Sequence, residues 1–130
     1  MIQKTIYNLL TQNTSAPISL SSTNGTTSFP GPLIYNEHAF DGGIYCHVSG
    51  FAATVSGVGF RPRLYCSFNG VDWYMNTALP ALTTAAHYFK KVTDLGPYIK
   101  LGYRAGGKNA EFNGKIVSNA RIYLHLNEYI

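Results

Sequence analysis

Only six Asp and Glu residues occur in a chain of 130, and that shortage excludes more chemistry than any feature present. A glycosidase needs two opposed carboxylates and a calcium cage needs several. Asp41, Asp72 and Asp94 each lie beside glycine or other turn residues, where bonding to local backbone amides accounts for them. Cysteine is scarcer still: Cys46 and Cys66 are the only two, each inside an apolar strand pattern. One pair is sparse for a secreted domain of this size, so buried free thiols are expected rather than a bridge. The four histidines, His38, His47, His87 and His125, are scattered, with no HxH, HExxH or CxxC spacing. Cys46 and His47 are neighbours, and in a strand their side chains leave opposite faces, which prevents a thiolate–imidazole pair. In Gly57-Val58-Gly59-Phe60-Arg61-Pro62, proline stands where a phosphate-cradling loop needs its third glycine. No apolar run approaches membrane-spanning length, and the start Met1-Ile2-Gln3-Lys4 opens no signal-peptide core. No enzyme, no cofactor, no metal and no membrane partner is therefore expected.

What the chain has in quantity is tyrosine, ten of them, with Asn, Thr, Ser and Gly around them. Charged residues make up 12% and aromatics 14%, a composition that suits pleated, half-buried strands better than helices. At 14.3 kDa the chain fits a single domain over residues 1–130, and area scaling gives it a folded surface of about 6,800 Å². Ile44, Cys46 and Val48 alternate with Tyr45, His47 and Ser49. Ile99, Leu101 and Tyr103 oppose Tyr98, Lys100, Gly102 and Arg104. In the last segment Ile116, Ala120, Ile122, Leu124 and Leu126 share one face with Ser118, and a one-residue slip would bury Lys115 and Arg121. With Ile2 to Leu10, a short run near Ala16 to Leu20, and His87 to Val92, the count reaches seven or eight strands. The fold class expected is all-β, an antiparallel β-sandwich.

Asn69-Gly70 tolerates the two positive φ angles of a type I′ turn, so Leu64 to Phe68 and Val71 to Met75 are expected to form a hairpin. Trp73, the single tryptophan, is expected in the core of that hairpin. Asp41-Gly42-Gly43 reads as a turn into a strand at Ile44. Between residues 22 and 43 lies a loop-rich arm containing Phe29-Pro30-Gly31-Pro32-Leu33-Ile34-Tyr35. Its prolines forbid a regular ladder while its apolar side chains resist a purely solvated role. Phe29, Pro30, Pro32, Leu33, Ile34 and Tyr35 are thus candidates for docking, on the chain's own sandwich or on a partner.

Net charge is +4, but residues 61–121 carry +6 and residues 1–60 carry −1. These cations are spread along strands, which suits a solvated face, and nucleic acid is not the expected partner. Tyr98, Lys100, Tyr103, Arg104, Arg121 and Tyr123 approach the composition of a single-strand platform. Tyr103, however, alternates away from Lys100 and Arg104.

Ser67-Phe68-Asn69-Gly70-Val71-Asp72-Trp73 resembles the S-x-D-G-x-x-W hairpin of discoidin-like jelly rolls and of small virion proteins of tailed bacteriophages. Tyr98-Ile99-Lys100-Leu101 is similar to their following Y-(I/V)-(R/K)-(L/I) strand, and Asn113-Gly114 leads into a long final strand as theirs does. Asn69 stands where discoidin-like modules carry Asp, and the first sixty residues lack those modules' calcium pattern. The resemblance therefore implies a phage head decoration or auxiliary capsid protein with a jelly-roll-like fold. Such a protein is made in the host cytoplasm and resides in the virion. It binds capsid or other virion proteins without catalysis, as a homo-oligomer with a trimer favoured. The alternative that the same resemblance implies is a carbohydrate-binding module using Trp73 and Tyr74.

Overall fold

A computed structural model describes residues 1–12, 18–22, 32–51, 59–80, 86–106 and 112–129. The strands are β1 (Ile2–Gln12), β2 (Ile18–Ser22), β3 (Ile34–Tyr35), β4 (Ala39–Phe51), β5 (Gly59–Ser67), β6 (Trp73–Ala78), β7 (Ala86–Val92), β8 (Tyr98–Gly106) and β9 (Phe112–Tyr129). One sheet runs β1-β9-β4-β7, with β2 also paired to β9, and the other runs β3-β8-β5-β6. Every pairing is antiparallel. With β2 set aside, the first, eighth, third and sixth strands form one sheet and the second, seventh, fourth and fifth the other. That order is the double Greek key of a jelly roll. The expected sandwich is present; among the described residues it has nine strands against the seven or eight expected, β2 answering to the short run near Ala16 to Leu20 and β3 lying in the arm read as loop.

Alternation decides which faces meet. Ala120, Ile122, Leu124 and Leu126 of β9 and Ile44, Cys46 and Val48 of β4 are buried from one sheet. Leu64 and Cys66 of β5 and Ile99 and Leu101 of β8 are buried from the other. Burying each such Leu or Ile stabilises the fold by about 1.5–3 kcal/mol before chain entropy is counted. A register shift between Asn8 and Leu10 places Leu9 in this core. Cys46 and Cys66 are both buried free thiols, as their apolar surroundings imply. The accessible surface is 7000 Å².

Two local expectations are overturned. Asn69-Gly70 is not a two-residue type I′ turn: Gly70 has a φ of 79°, but Asn69 is not among the positive-φ residues. The last strand pair is Ser67 with Trp73, so residues 68–72 form a five-residue loop. Its closure comes from side chains. Asn69 Oδ1 accepts the amides of Val71 and Asp72 at 2.8 Å each, and Ser67 Oγ accepts that of Gly70 at 2.9 Å. Nor do Gly42 and Gly43 turn the chain, since β4 already starts at Ala39. A Cβ on Gly42 would collide with the His125 carbonyl of β9, and one on Gly43 would meet the Phe89 ring that lies across it. Glycine is there for close approach across the sheet, not for bending.

Candidate contact surface

The loop at residues 68–72, the β7–β8 connection, the β3–β4 turn, Met1 and Tyr129 all fall at one end of the sandwich, called here the hairpin end. Asn36 ties it together. It is buried, and its Nδ2 donates to the carbonyls of Ala39 (2.7 Å) and Gly96 (3.1 Å) while its Oδ1 accepts the Ala39 amide (2.9 Å). The Asn36 amide also donates to Pro97 O. The turn that leads from one sheet to the other is thereby locked onto the β7–β8 connection.

This lock fixes which apolar side chains face outward. Ile34 is 4% exposed and belongs to the chain's own core, which removes it from the candidate partner contacts. Strand alternation turns its neighbours Leu33 and Tyr35 out, 60% and 58% exposed, and Pro32 is exposed beside them. Phe29 and Pro30 lie outside the described residues. Beyond the sequence candidates, Phe40, Phe68 and Val71 are 70% or more exposed at the same end. Tyr35 packs against Tyr98 with ring centroids 5.4 Å apart, Phe40 approaches Tyr129 at 6.5 Å, and Phe68 stacks on Tyr74 at 5.9 Å. The Tyr129 hydroxyl donates to the Asp41 carboxylate at 3.2 Å; partial desolvation and that carboxylate hold its ionisation above the ordinary phenol value.

Trp73 is not in the core as expected. Because Cys66 faces inward and pairs with Tyr74, Trp73 is carried to the outer face of β6, half-buried, with Lys100 Nζ 3.9 Å from its ring centroid. Tyr74 faces the core instead and donates from its hydroxyl to Asp94 O at 3.0 Å. Phe68, Asn69, Asp72, Trp73 and Tyr74 line a shallow depression of about 340 Å³.

The single-strand platform suggested by spacing is split. Tyr98 and Lys100 lie on the outer face of β8, whereas Arg121 and Tyr123 lie on the outer face of β9, in the other sheet. Conversely, two histidines that spacing scattered are brought together: His47 pairs with His87 across β4 and β7, their rings stacked at 4.1 Å. Tyr45 Oη and His87 Nδ1 share a 2.7 Å hydrogen bond. Among the described residues no group of three His, Cys, Asp or Glu is placed to hold a metal ion. Cys46 faces the core with its thiol pushed up to about 12 by burial, opposite in direction to a nucleophile's need.

No protein-family model and no curated protein matches the chain. Among solved structures it is similar to a chain of the infectious bursal disease virus T13 viral particle, with a TM-score of 0.58 and 16% identity over 97% of its length. A likeness of TM-score 0.56 joins it to the VP2 subviral particle of that virus, at 16% identity over 98% of its length. The virus's Gx strain structure gives 0.56 at 13% identity. The chain spans about a third of the length of each of those chains. At such identity the likeness establishes a shared fold.

Proposed function

We propose that this chain is a non-catalytic structural module of a virion, a capsid decoration or stabilising protein that binds the shell by protein–protein contacts at its hairpin end. The observation that carries the proposal is the jelly-roll strand order, matched over nearly the whole chain by proteins of virus particles. The exposed side chains of Leu33, Tyr35, Phe40, Phe68 and Val71 at one end supply the apolar contact such a role requires. Resemblance to tailed-phage auxiliary proteins adds a homo-oligomer, with a trimer favoured, and a virion location after synthesis in the host cytoplasm.

Deleting residues 29–35 would remove β3 and the core residue Ile34, so surface substitutions make the sounder test. A Leu33→Asp, Tyr35→Ser variant should fold with an unchanged melting temperature yet be lost from particles purified by gradient sedimentation. Full occupancy of that variant on particles would overturn the assignment.

The depression beside Trp73 and Tyr74 favours a second reading, a carbohydrate-binding module. Aromatic rings with adjoining amide and carboxylate groups suit a sugar. Against it, Asn69 Nδ2 is bonded to Asp72 Oδ2 at 2.7 Å, and Lys100 sits over the Trp73 ring. Sugar-dependent change in Trp73 emission would put this reading first.

A further inference from the structure

At the open corner between β6 and β7, Arg61, Arg63 and Lys90 line one cleft of about 450 Å³, with Tyr88 and Pro80 among its walls. Arg61 and Arg63 come from β5 of one sheet and Lys90 from β7 of the other, and strand alternation half-buries both arginines. Lys90 Nζ donates to Ala78 O at 3.2 Å, and the Leu79 amide donates to Pro62 O at 3.0 Å, so the crossover that frames the cleft is pinned on both sides. Among the described residues no carboxylate pairs with any of these three cations.

The acidic residues among the described ones are elsewhere for a topological reason. Glu37 and Asp41 flank the start of β4, Asp72 lies in the loop after β5, Asp94 follows β7, and Glu128 is near the end of β9. Antiparallel connectivity collects all five at the hairpin end. Asp94 is the nearest along β7, four positions from Lys90 and towards that end. Arg61 pairs in register with Arg104 on β8, adding a fourth cation-bearing position to the opposite half. Among the described residues the outcome is a polarity along the strands, with five carboxylates at the hairpin end and the cationic cleft away from them.

We propose that this cleft binds the phosphodiester backbone of nucleic acid. Guanidinium groups present paired N–H donors that match a phosphate's oxygens, and the open form of the cleft admits a strand that passes through without being read by sequence. The inference is independent of the virion assignment. Three neutralised phosphates would make log K fall against log salt with a slope of about −2.7 on duplex DNA, a loss of roughly 40-fold between 50 and 200 mM salt.

Fluorescence anisotropy with a labelled 20-mer, duplex and single-stranded, tests this across that salt range. Arg61→Gln, Arg63→Gln and Lys90→Gln should each lower the slope by about one and weaken binding to unrelated sequences equally. Lys4→Gln, at the hairpin end, should leave the cleft's contribution in place. Circular dichroism melts check that each variant is folded; should one fail, the remaining single variants and the wild-type slope still decide. Inorganic phosphate should compete only at high concentration. Equal effects of Lys4→Gln and Arg63→Gln would reduce the cleft to general charge and overturn the proposal. So would undetectable binding at 50 mM salt, or a poly-glutamate peptide binding more tightly than DNA at equal ionic strength, which would assign the cleft to an acidic protein.

Discussion

Replacing Asn36 by alanine tests whether one buried amide organises the hairpin end. The substitution removes two bonds from Nδ2, to Ala39 O and Gly96 O, and orphans the Ala39 amide that Oδ1 accepts. A buried unsatisfied N–H costs about 1–3 kcal/mol and each lost neutral bond about 1 kcal/mol, so at least about 3 kcal/mol is expected. That is a large part of the roughly 5–15 kcal/mol available to a domain. With an m value of about 1.5 kcal/mol/M, the urea midpoint should fall by about 2 M with m unchanged. Asn36→Asp keeps the acceptor for Ala39 N–H but turns a carboxylate towards two carbonyl oxygens. It should therefore cost at least as much as alanine at pH 7. Hydrogen exchange should rise first at Ala39 and around Gly96 and Pro97. A midpoint shift below about 0.5 M for Asn36→Ala would mean that the turn is held by the backbone bond from Asn36 N to Pro97 O alone.

The thiol of Cys46, pushed up to about 12 by burial against a usual 9.0, keeps its proton in the folded state while the unfolded chain loses it. Its stabilising contribution is therefore whole below pH 9 and is lost as pH rises from 9 towards 12, by up to about 4 kcal/mol. Urea midpoints at pH 7, 9 and 10.5 should drop more steeply for the native chain than for Cys46→Ala, and parallel curves would refute this. Iodoacetamide at pH 8 should label Cys46 only after unfolding. Gly42→Ala should prevent folding because its Cβ meets a backbone carbonyl, whereas Gly43→Ala should cost about 1 kcal/mol, since the exposed Phe89 ring can swing away. Similar melting temperatures for the two would contradict that distinction.

Much of the sandwich was legible because one face of each long strand had to be apolar. In β9 the alternation from Ala120 to Leu126 leaves only one register that keeps Arg121 out of the core, and the structure has it. Short-range punctuation misled more often. Asn69-Gly70 carries the composition of a type I′ turn, but Ser67 Oγ and Asn69 Oδ1 supply enough acceptors to stabilise a five-residue loop instead. Gly42-Gly43 looked like a turn because composition does not tell a glycine needed for torsion from one needed for space; only the position of His125 on a strand some eighty residues later does. Trp73 is expected inside because a lone tryptophan in a small sandwich usually anchors packing, but the five-residue loop pairs it with Ser67 and gives the inward position beside Cys66 to Tyr74.

Surface function was less legible, because it depends on which strand ends meet. Leu33 and Tyr35 were visible as apolar residues in a proline-rich arm, and alternation about the buried Ile34 explains why they, and not Ile34, face solvent. Phe40 sits in a strand from which nothing local marks it as exposed. The charge pattern is the clearest case. Along the sequence the cations are dispersed and the acids isolated, which describes a solvated surface. Among the described residues antiparallel folding converts that dispersion into polarity, because acids placed at the start of β4, after β5, after β7 and at the end of β9 all return to one end. The jelly roll thus separates an apolar and acidic hairpin end, suited to a protein partner, from a cationic cleft suited to a polyanion. Because the two regions are separate in space, Leu33→Asp with Tyr35→Ser should leave the salt slope of nucleic-acid binding unchanged, while Arg63→Gln should lower that slope and leave particle occupancy unchanged.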